Sequence, residues 1–340
     1  MDEWINEWYN NLAVKTEFIW RCVMKKILAL ALVLALMLCA FLTVHAEDDK
    51  PFIGILAPAN THGWVGGVAY FAQQAIESYD VEYRFLTSSN AEEMSSQIEE
   101  LISLGADAIV VWPQFTGVET AAEKALEKGI LISNFDMIIN VDEAYADGMY
   151  LLTGDNYGMG YEGARYIDEK LEGKGKVLVL CKPAAGNVND DRCAGFYDYL
   201  EQYAPDIEVI AEISTDFVRA TALSDMADAL TAYDHIDAVF SLDDETSIGA
   251  LQAISEAGRD DIKVITGGGG CQEYFQMMQE EKYQNIWVCS ATYSPNMIVS
   301  CIDNIIAVLA GEVIEHTVVL PTNIVDRDNV EDFLNADSPY

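Results

Sequence analysis

Leu151-Leu-Thr-Gly154-Asp-Asn-Tyr-Gly-Met-Gly160-Tyr-Glu-Gly163 reads as a short apolar strand that enters a polar turn and starts a helix. Asp155-Asn156 offers the side-chain oxygen that the orphan amides of a helix N-terminus need. Before this stretch the chain is a run of strand-then-helix units, and after it comes a second run of the same kind. The stretch is therefore the joint between two similar α/β lobes, and function is expected in the space between them.

Upstream, Pro51–Ala57, Val81–Leu86, Asp107–Trp112 and Leu131–Phe135 read as strands, and Gly63–Ser78, Ala91–Leu104 and Val118–Lys128 as helices. Downstream, the expected helices are Tyr157–Leu171, Asp190–Tyr203, Ala220–Ala232, Glu245–Ala257 and Pro295–Leu309. The expected strands are Val177–Cys181, Ile207–Ile213, Ala238–Ser241, Ile262–Thr266, Ile286–Ala291 and Val318–Leu320, with a polar turn at Gly173–Lys176. The strands are near-continuous apolar runs, the pattern of parallel strands covered on both faces. Ala106-Asp-Ala-Ile-Val110 also matches Ile236-Asp-Ala-Val-Phe240 at the same stage of each half. The fold class is α/β, with two doubly wound parallel-sheet lobes.

The formal charge is −37, from 56 acidic and 19 basic residues, interspersed rather than blocked. Such a surface repels phosphate backbones, so nucleic acid is not an expected partner. Met24-Lys-Lys26, the apolar run Ile27–Val44 and Val44-x-Ala46 describe a secretory signal peptide over about 24–46, cleaved after Ala46. The competing reading is a membrane span, for which roughly 20 apolar residues are needed. Residues 1–23 fit no targeting logic, and the true start is open between Met1 and Met24. Cys39 follows Leu38 rather than the small residue that lipidation wants, so the expected location is the periplasm or cell envelope without a lipid anchor. Beyond the leader, Cys181, Cys193, Cys271, Cys289 and Cys301 are read as small buried hydrophobes, their pairing left open.

Sheets of this kind bind ligands beyond the carboxyl ends of their strands. The loops at those positions carry Asn60 to Trp64, Trp112 and Gln114, Asn134 and Asp136, Lys182–Asp191, Asp243-Asp244 and Gly267–Gly270. Gly158-x-Gly160-x-x-Gly163 has dinucleotide spacing, but its glycines come after the helix cap, and no acidic residue ends the next strand. Gly173–Lys176 lacks the rest of a phosphate loop. Gly267–Gly270 is read either as a flexible connector or as backbone held close to a ligand. His62, His235 and His316 have no partners at metal-ligand spacing, and no nucleophile elbow is present. For Asp243-Asp244-Glu245, one residue is expected to face the cleft, one to cap the helix and one to be solvated.

Ala106–Val111, Gly154-Asp-Asn156, Asp191-Arg-Cys-Ala-Gly-Phe196, Ile236–Phe240 with Asp243–Glu245, and Gly249-Ala-Leu-Gln-Ala253 resemble the periplasmic sugar-binding proteins of the ribose/galactose type, which serve ABC transporters. The resemblance covers about Pro51–Val325. It implies the type I periplasmic binding protein fold, two lobes joined by three strand crossings that close around one ligand. The lobes it implies are 50–154 with 293–320, and 155–292 with 321–340. Carried over residue by residue, it places His62, Trp64, Asp136, Asp190, Asp243, Gly268 and Thr292 at the ligand and Asp155 at the hinge. Met137 and Asp190 stand where the family has arginines; Lys182 and Arg192 are expected at the rim or in the scaffold. The alternative is a one-residue slip in the 187–192 loop that brings Arg192 into the cleft.

The resemblance thus implies an exported, monomeric solute-binding protein without a cofactor. It would capture a neutral sugar or polyol and present it to an ABC permease. The rivals are a sensor handing its state to a chemoreceptor or histidine kinase, a binder of a cationic amine, and an enzyme, which the missing nucleophile–base set disfavours.

Overall fold

The computed structural model describes residues 50–59 and 63–340, with Trp20 and Met24. The expected leader, apart from Met24, lies outside the described residues, as does His62. Among the described residues, no helix is long and apolar enough to cross a membrane.

Pro51–Tyr340 is one unit built on two six-stranded sheets. The first sheet holds β1 (Phe52–Pro58), β2 (Glu82–Ser88), β3 (Ala108–Val111), β4 (Leu131–Phe135), β5 (Met149–Gly154) and β11 (Thr317–Leu320), in the order β11-β5-β4-β3-β1-β2. The second holds β6 (Lys174–Cys181), β7 (Asp206–Ser214), β8 (Ala238–Ser241), β9 (Val264–Ile265), β10 (Trp287–Ala291) and β12 (Ile324–Asp326), in the order β12-β10-β9-β8-β6-β7. All pairings are parallel except β10 with β12. The two matching pentapeptides fall on β3 and β8, which hold the same place in the two orders.

Apolar runs in the strands are explained by helices on both faces. In the first sheet, Ile53, Ile55, Ala108 and Val110 face α1 (Gly63–Glu77) and α9 (Met297–Leu309). Leu56, Ile109 and Val111 face α2 (Ala91–Leu104) and α3 (Glu119–Glu127). In the second, Val177 and Val179 face α4 (Asn156–Leu171) and α5 (Asn187–Tyr203). Leu178 and Leu180 face α6 (Arg219–Ala232), α7 (Asp244–Ala257) and α8 (Gln272–Met277). Each Val, Ile or Leu among them contributes roughly 1.5–3 kcal/mol by leaving water.

The chain changes sheets three times: from β5 to α4, from β10 to α9, and from β11 to β12. The crossings are tied to one another. The Tyr293 hydroxyl is 3.1 Å from Thr153 Oγ1, Asn323 N donates to Thr292 Oγ1 at 2.9 Å, and Asp155 N donates to Leu320 O at 2.9 Å. Asp155 also caps α4, accepting from Gly158 N at 2.7 Å.

The spaced glycines of α4 serve close helix packing. A Cβ on Gly160 would lie 1.8 Å from the Arg192 carbonyl oxygen, and one on Gly195 of α5 would lie 2.1 Å from that of Tyr157. Several expected bounds shift. β6 begins at Lys174 because Lys176 N donates to Asp237 Oδ2 and Gly175 pairs with β7, so the expected turn is strand. β9 keeps only two of the five residues expected. β12 was not anticipated, being three residues long. The five cysteines among the described residues are free; four are buried and Cys193 is half-buried.

Candidate functional site

A cavity of about 700 Å³ opens where the carboxyl ends of the two sheets face each other. Its wall is made of the segments just beyond the strands: Gly63–Val65 after β1, Pro113 and Gln114 after β3, and Asp136 and Met137 after β4. On the other side lie Lys182 after β6, Asp216–Ala220 after β7, Asp243 and Glu245 after β8, Gly268 and Gly269 after β9, and Tyr293 after β10.

Trp64, on the first turn of α1, is half-buried. Its ring stacks on Phe135 with centroids 6.0 Å apart, meets Trp112 edge-on at 5.3 Å, and donates from Nε1 to Tyr293 O at 2.7 Å. Trp64, expected at the ligand, also packs against the cores of both layers while bordering the cavity. The loop position hid this, because Trp112, Phe135 and Tyr293 come from three other elements.

Asp136 follows β4 in a left-handed conformation, φ 63°, rare for any residue but glycine. Its carboxylate accepts from the Tyr293 hydroxyl and from Trp112 Nε1 at 3.2 Å. Burial pushes its pKa up, and the Tyr293 bond, Arg192 and the Trp112 bond pull it back. Asp243 caps α7, accepting from Thr246 N and Glu245 N. Burial pushes it up to about 6, against the pull of its Thr246 bonds and of Arg192.

Asp243 therefore both faces the cavity and caps the helix. Asp244, expected to cap or be solvated, is fully buried. It accepts from Gly270 N, Cys271 N and Ser290 Oγ, and burial raises it to about 7. Glu245 borders the cavity and pairs with Arg219, which also pairs with Glu273. These bonds fix the glycine loop, as do Gly269 N to Ala291 O at 3.0 Å and the Gly268–Ala291 bridge, so it is no flexible connector.

Lys182 and Arg192, expected at the rim or in the scaffold, both border the cavity. Arg192 is 5% exposed. Nε donates to Asn156 Oδ1 at 2.9 Å, Nη1 donates to Leu242 O at 2.8 Å, and the guanidinium lies 4.8 Å from the Tyr293 ring centre. The first turn of α5 begins earlier than expected, at Asn187, which carries Arg192 inward. The Lys182 amine sits 4.6 Å from the Phe217 ring centre. Burial lowers its pKa while Asp243 and Asp216 raise it.

The structure brings Trp64, Asp136, Asp243 and Gly268 together on the cavity wall. It does not bring Asp190 or Thr292 there. Asp190 is exposed on α5, where it accepts from Asn189 Nδ2, and Thr292 is occupied by Asn323 and Thr322 at the crossings. Aligned position placed them wrongly because helix phase and crossing register, not order along the chain, set where a side chain ends. Asp155 lies at the first crossing and not on the wall.

Among the wall residues that were missed are three aromatics. Phe217, at φ 61°, comes after β7 and was findable by the same loop rule. Tyr293 is the neighbour of the residue chosen. Tyr340 carries no local signal.

Five carboxylates (Asp136, Asp216, Asp243, Glu245, Glu273) and three cations (Lys182, Arg192, Arg219) line the cavity with Trp64, Phe217 and Tyr293. Fixed donors and acceptors beside aromatic faces suit a small polyhydroxylated molecule. Cys271 is the one thiol on the wall, and burial pushes it up to about 12, which keeps it protonated and un-nucleophilic at neutral pH. His235 lies beside Asp237 and Asp261, and His316 stacks on Tyr150, neither on the wall. Among the described residues no three His, Cys, Asp or Glu side chains gather as a metal would need.

The family model described as periplasmic binding protein domain matches residues 53–312. The ribose import binding protein of Bacillus subtilis is 27% identical over 197 residues, 57% of this chain and 61% of that protein, so the chain spans about three-fifths of that relative. A solved ABC transporter solute-binding protein from Bacillus halodurans, with bound myo-inositol, superposes at a TM-score of 0.77 with 19% identity, over 87% of this chain and all of that one. The fructose-binding periplasmic domain of a hybrid two-component system superposes at 0.73 with 21% identity, over 83% of this chain and 92% of that one. At these identities the two structures share the fold with this chain.

Proposed function

Because the chain belongs to the periplasmic binding protein domain family, of the ribose/galactose type, we propose that it is an exported solute-binding protein of an ABC importer. It captures a small sugar or polyol in the cavity between its sheets, closes about the three crossings with Asp155 among the hinge residues, and hands the ligand to a permease. Trp64, Asp136, Asp243 and Gly268 touch the ligand.

The observation that carries this reading is the composition of the cavity lining. Trp64 and Phe217 offer apolar faces to a sugar ring, and Asp136 and Asp243 accept from hydroxyls beside the fixed guanidinium of Arg192. The ribose binder and the inositol-bound structure lend support, as relatives whose ligands are a sugar and a polyol. Charge favours a neutral ligand. Arg219 is engaged by Glu245 and Glu273, Arg192 by Asn156 and Leu242, and Lys182 lies over the Phe217 ring with burial disfavouring its charged form, so a ligand anion would meet five carboxylates with two of the three wall cations already employed.

A thermal-shift screen tests it. A ligand at 100 times its Kd adds ~2.7 kcal/mol, and the stabilisers should be aldoses, pentitols or inositols. A sugar acid or sugar phosphate as the strongest stabiliser would overturn the neutral-ligand reading, and an amine would favour the cationic one. The sensor reading has the fold likeness of the two-component domain behind it. Co-purification with a receptor rather than a permease would select it.

A further inference from the structure

Asn335-Ala-Asp-Ser-Pro-Tyr340 is a polar segment with neither helical nor strand periodicity, and all of its residues but Ser338 and Tyr340 are exposed. Tyr340 is 6% exposed. Its ring joins the apolar core between the second sheet and α6–α8. The segment leading to it is fastened. Asn335 N donates to Gln272 Oε1 at 2.6 Å, Gln272 Nε2 donates to Phe333 O at 3.3 Å, and Ser338 Oγ donates to Tyr340 O at 2.6 Å. Ser338, Pro339 and Tyr340 all border the ligand cavity.

Tyr340 also touches both sides of that cavity. A Cβ on Gly269, in the glycine loop of the second sheet, would lie 3.0 Å from the Tyr340 hydroxyl. A Cβ on Gly67, one turn after Trp64 on α1, would lie 3.1 Å from the Tyr340 Cβ. One side chain thus bridges a helix of the first layer and a loop of the second, and it reaches both because each presents a glycine. An otherwise exposed segment holding a single buried aromatic has the form of an anchor, since no other residue in it buries apolar surface to offset the entropy of ordering.

We propose that Ser338–Tyr340 is a third wall of the binding site, and that Tyr340 is an affinity-determining residue that holds α1 and the glycine loop together around the ligand. The proposal rests on the binding function above, so its test needs a readout without ligand. Hydrogen exchange of the full unliganded chain should show Tyr340→Ala raising exchange at least tenfold in both 64–70 and 267–272, with cooperative melting kept. Tyr340→Leu, which refills part of the core but cannot reach both glycines, should do the same, and it serves if the alanine variant does not fold. A rise confined to 335–340 would overturn the proposal.

Titration calorimetry with ribose and myo-inositol as probes gives the second arm. Whichever probe binds the unaltered chain should bind Tyr340→Ala at least tenfold more weakly, and affinity within twofold would also overturn the proposal. Absence of binding by either probe bears on the proposed function alone, and exchange still decides the anchor.

Discussion

Replacing Arg192 with Met keeps a stem of similar length and deletes the guanidinium. Two donors are lost, Nε to Asn156 Oδ1 at 2.9 Å and Nη1 to Leu242 O at 2.8 Å, and so is the contact with the Tyr293 ring. Hydrogen bonds to a charged group are each worth ~1.5–3 kcal/mol, and a desolvated cation–π contact up to ~2 kcal/mol. These terms overlap, and the methionine recovers some packing. A total of ~3–5 kcal/mol is expected, the scale for taking one partner out of a buried charged network. Arg192 also lowers the pKa of Asp136 and of Asp243, both already raised by burial. Without it both carboxyls rise further, and their ionised forms lose a counter-charge. Such groups stabilise the fold below their unfolded pKa and lose that contribution as pH climbs to the folded value. Urea unfolding of the two proteins should therefore show a wider gap at pH 7 than at pH 5, where Asp243, raised to about 6, is mostly protonated and needs no cation. A gap under ~1 kcal/mol at pH 7, below the worth of even one charged hydrogen bond, or one equal at both pH values, would refute the reasoning.

Trp64→Ala should cost stability as well as affinity. Complete burial would make it ~3–5 kcal/mol; for a half-buried ring ~2–4 kcal/mol is expected, read as a lower urea midpoint, whereas an unchanged midpoint would make Trp64 a purely ligand-facing residue. Asp244→Asn should flatten the pH dependence of stability. Burial holds Asp244 up at about 7, so its contribution is present below its unfolded pKa and lost as pH rises to 7, with a slope near ~1.4 kcal/mol per pH unit. Melting temperatures from pH 5 to 8 check it, and parallel profiles for the two proteins would count against a buried, titrating Asp244.

Much of the fold was legible because its signals are local. Continuous apolar runs such as Ala108–Val111, short and bounded by turn residues, fit strands covered on both faces, and Asp155 and the Asp243–Glu245 run announce helix starts by supplying an acceptor for orphan amides. β9 and β12 were poorly legible, since two- and three-residue strands are defined by their partners. The cavity was half legible. The rule that ligands gather beyond strand carboxyl ends found the loops of Trp64, Asp136, Asp243 and Gly268, and applied to β7 it would have found Phe217.

By itself the sequence determined two doubly wound lobes, their joint at Leu151–Gly163, the acidic surface and the loops in which a binding site could form. All of these come from hydrophobic period, capping chemistry and charge, which act over a few residues. Only the tertiary structure decided that Asp190 turns outward while Arg192 turns in, that Trp64 belongs to both core and cavity, that Gly160 serves helix packing, and that Tyr340 returns to touch Gly67 and Gly269. Each of those depends on side chains far apart in the chain competing for one volume, and the order of residues does not carry that information in any single stretch.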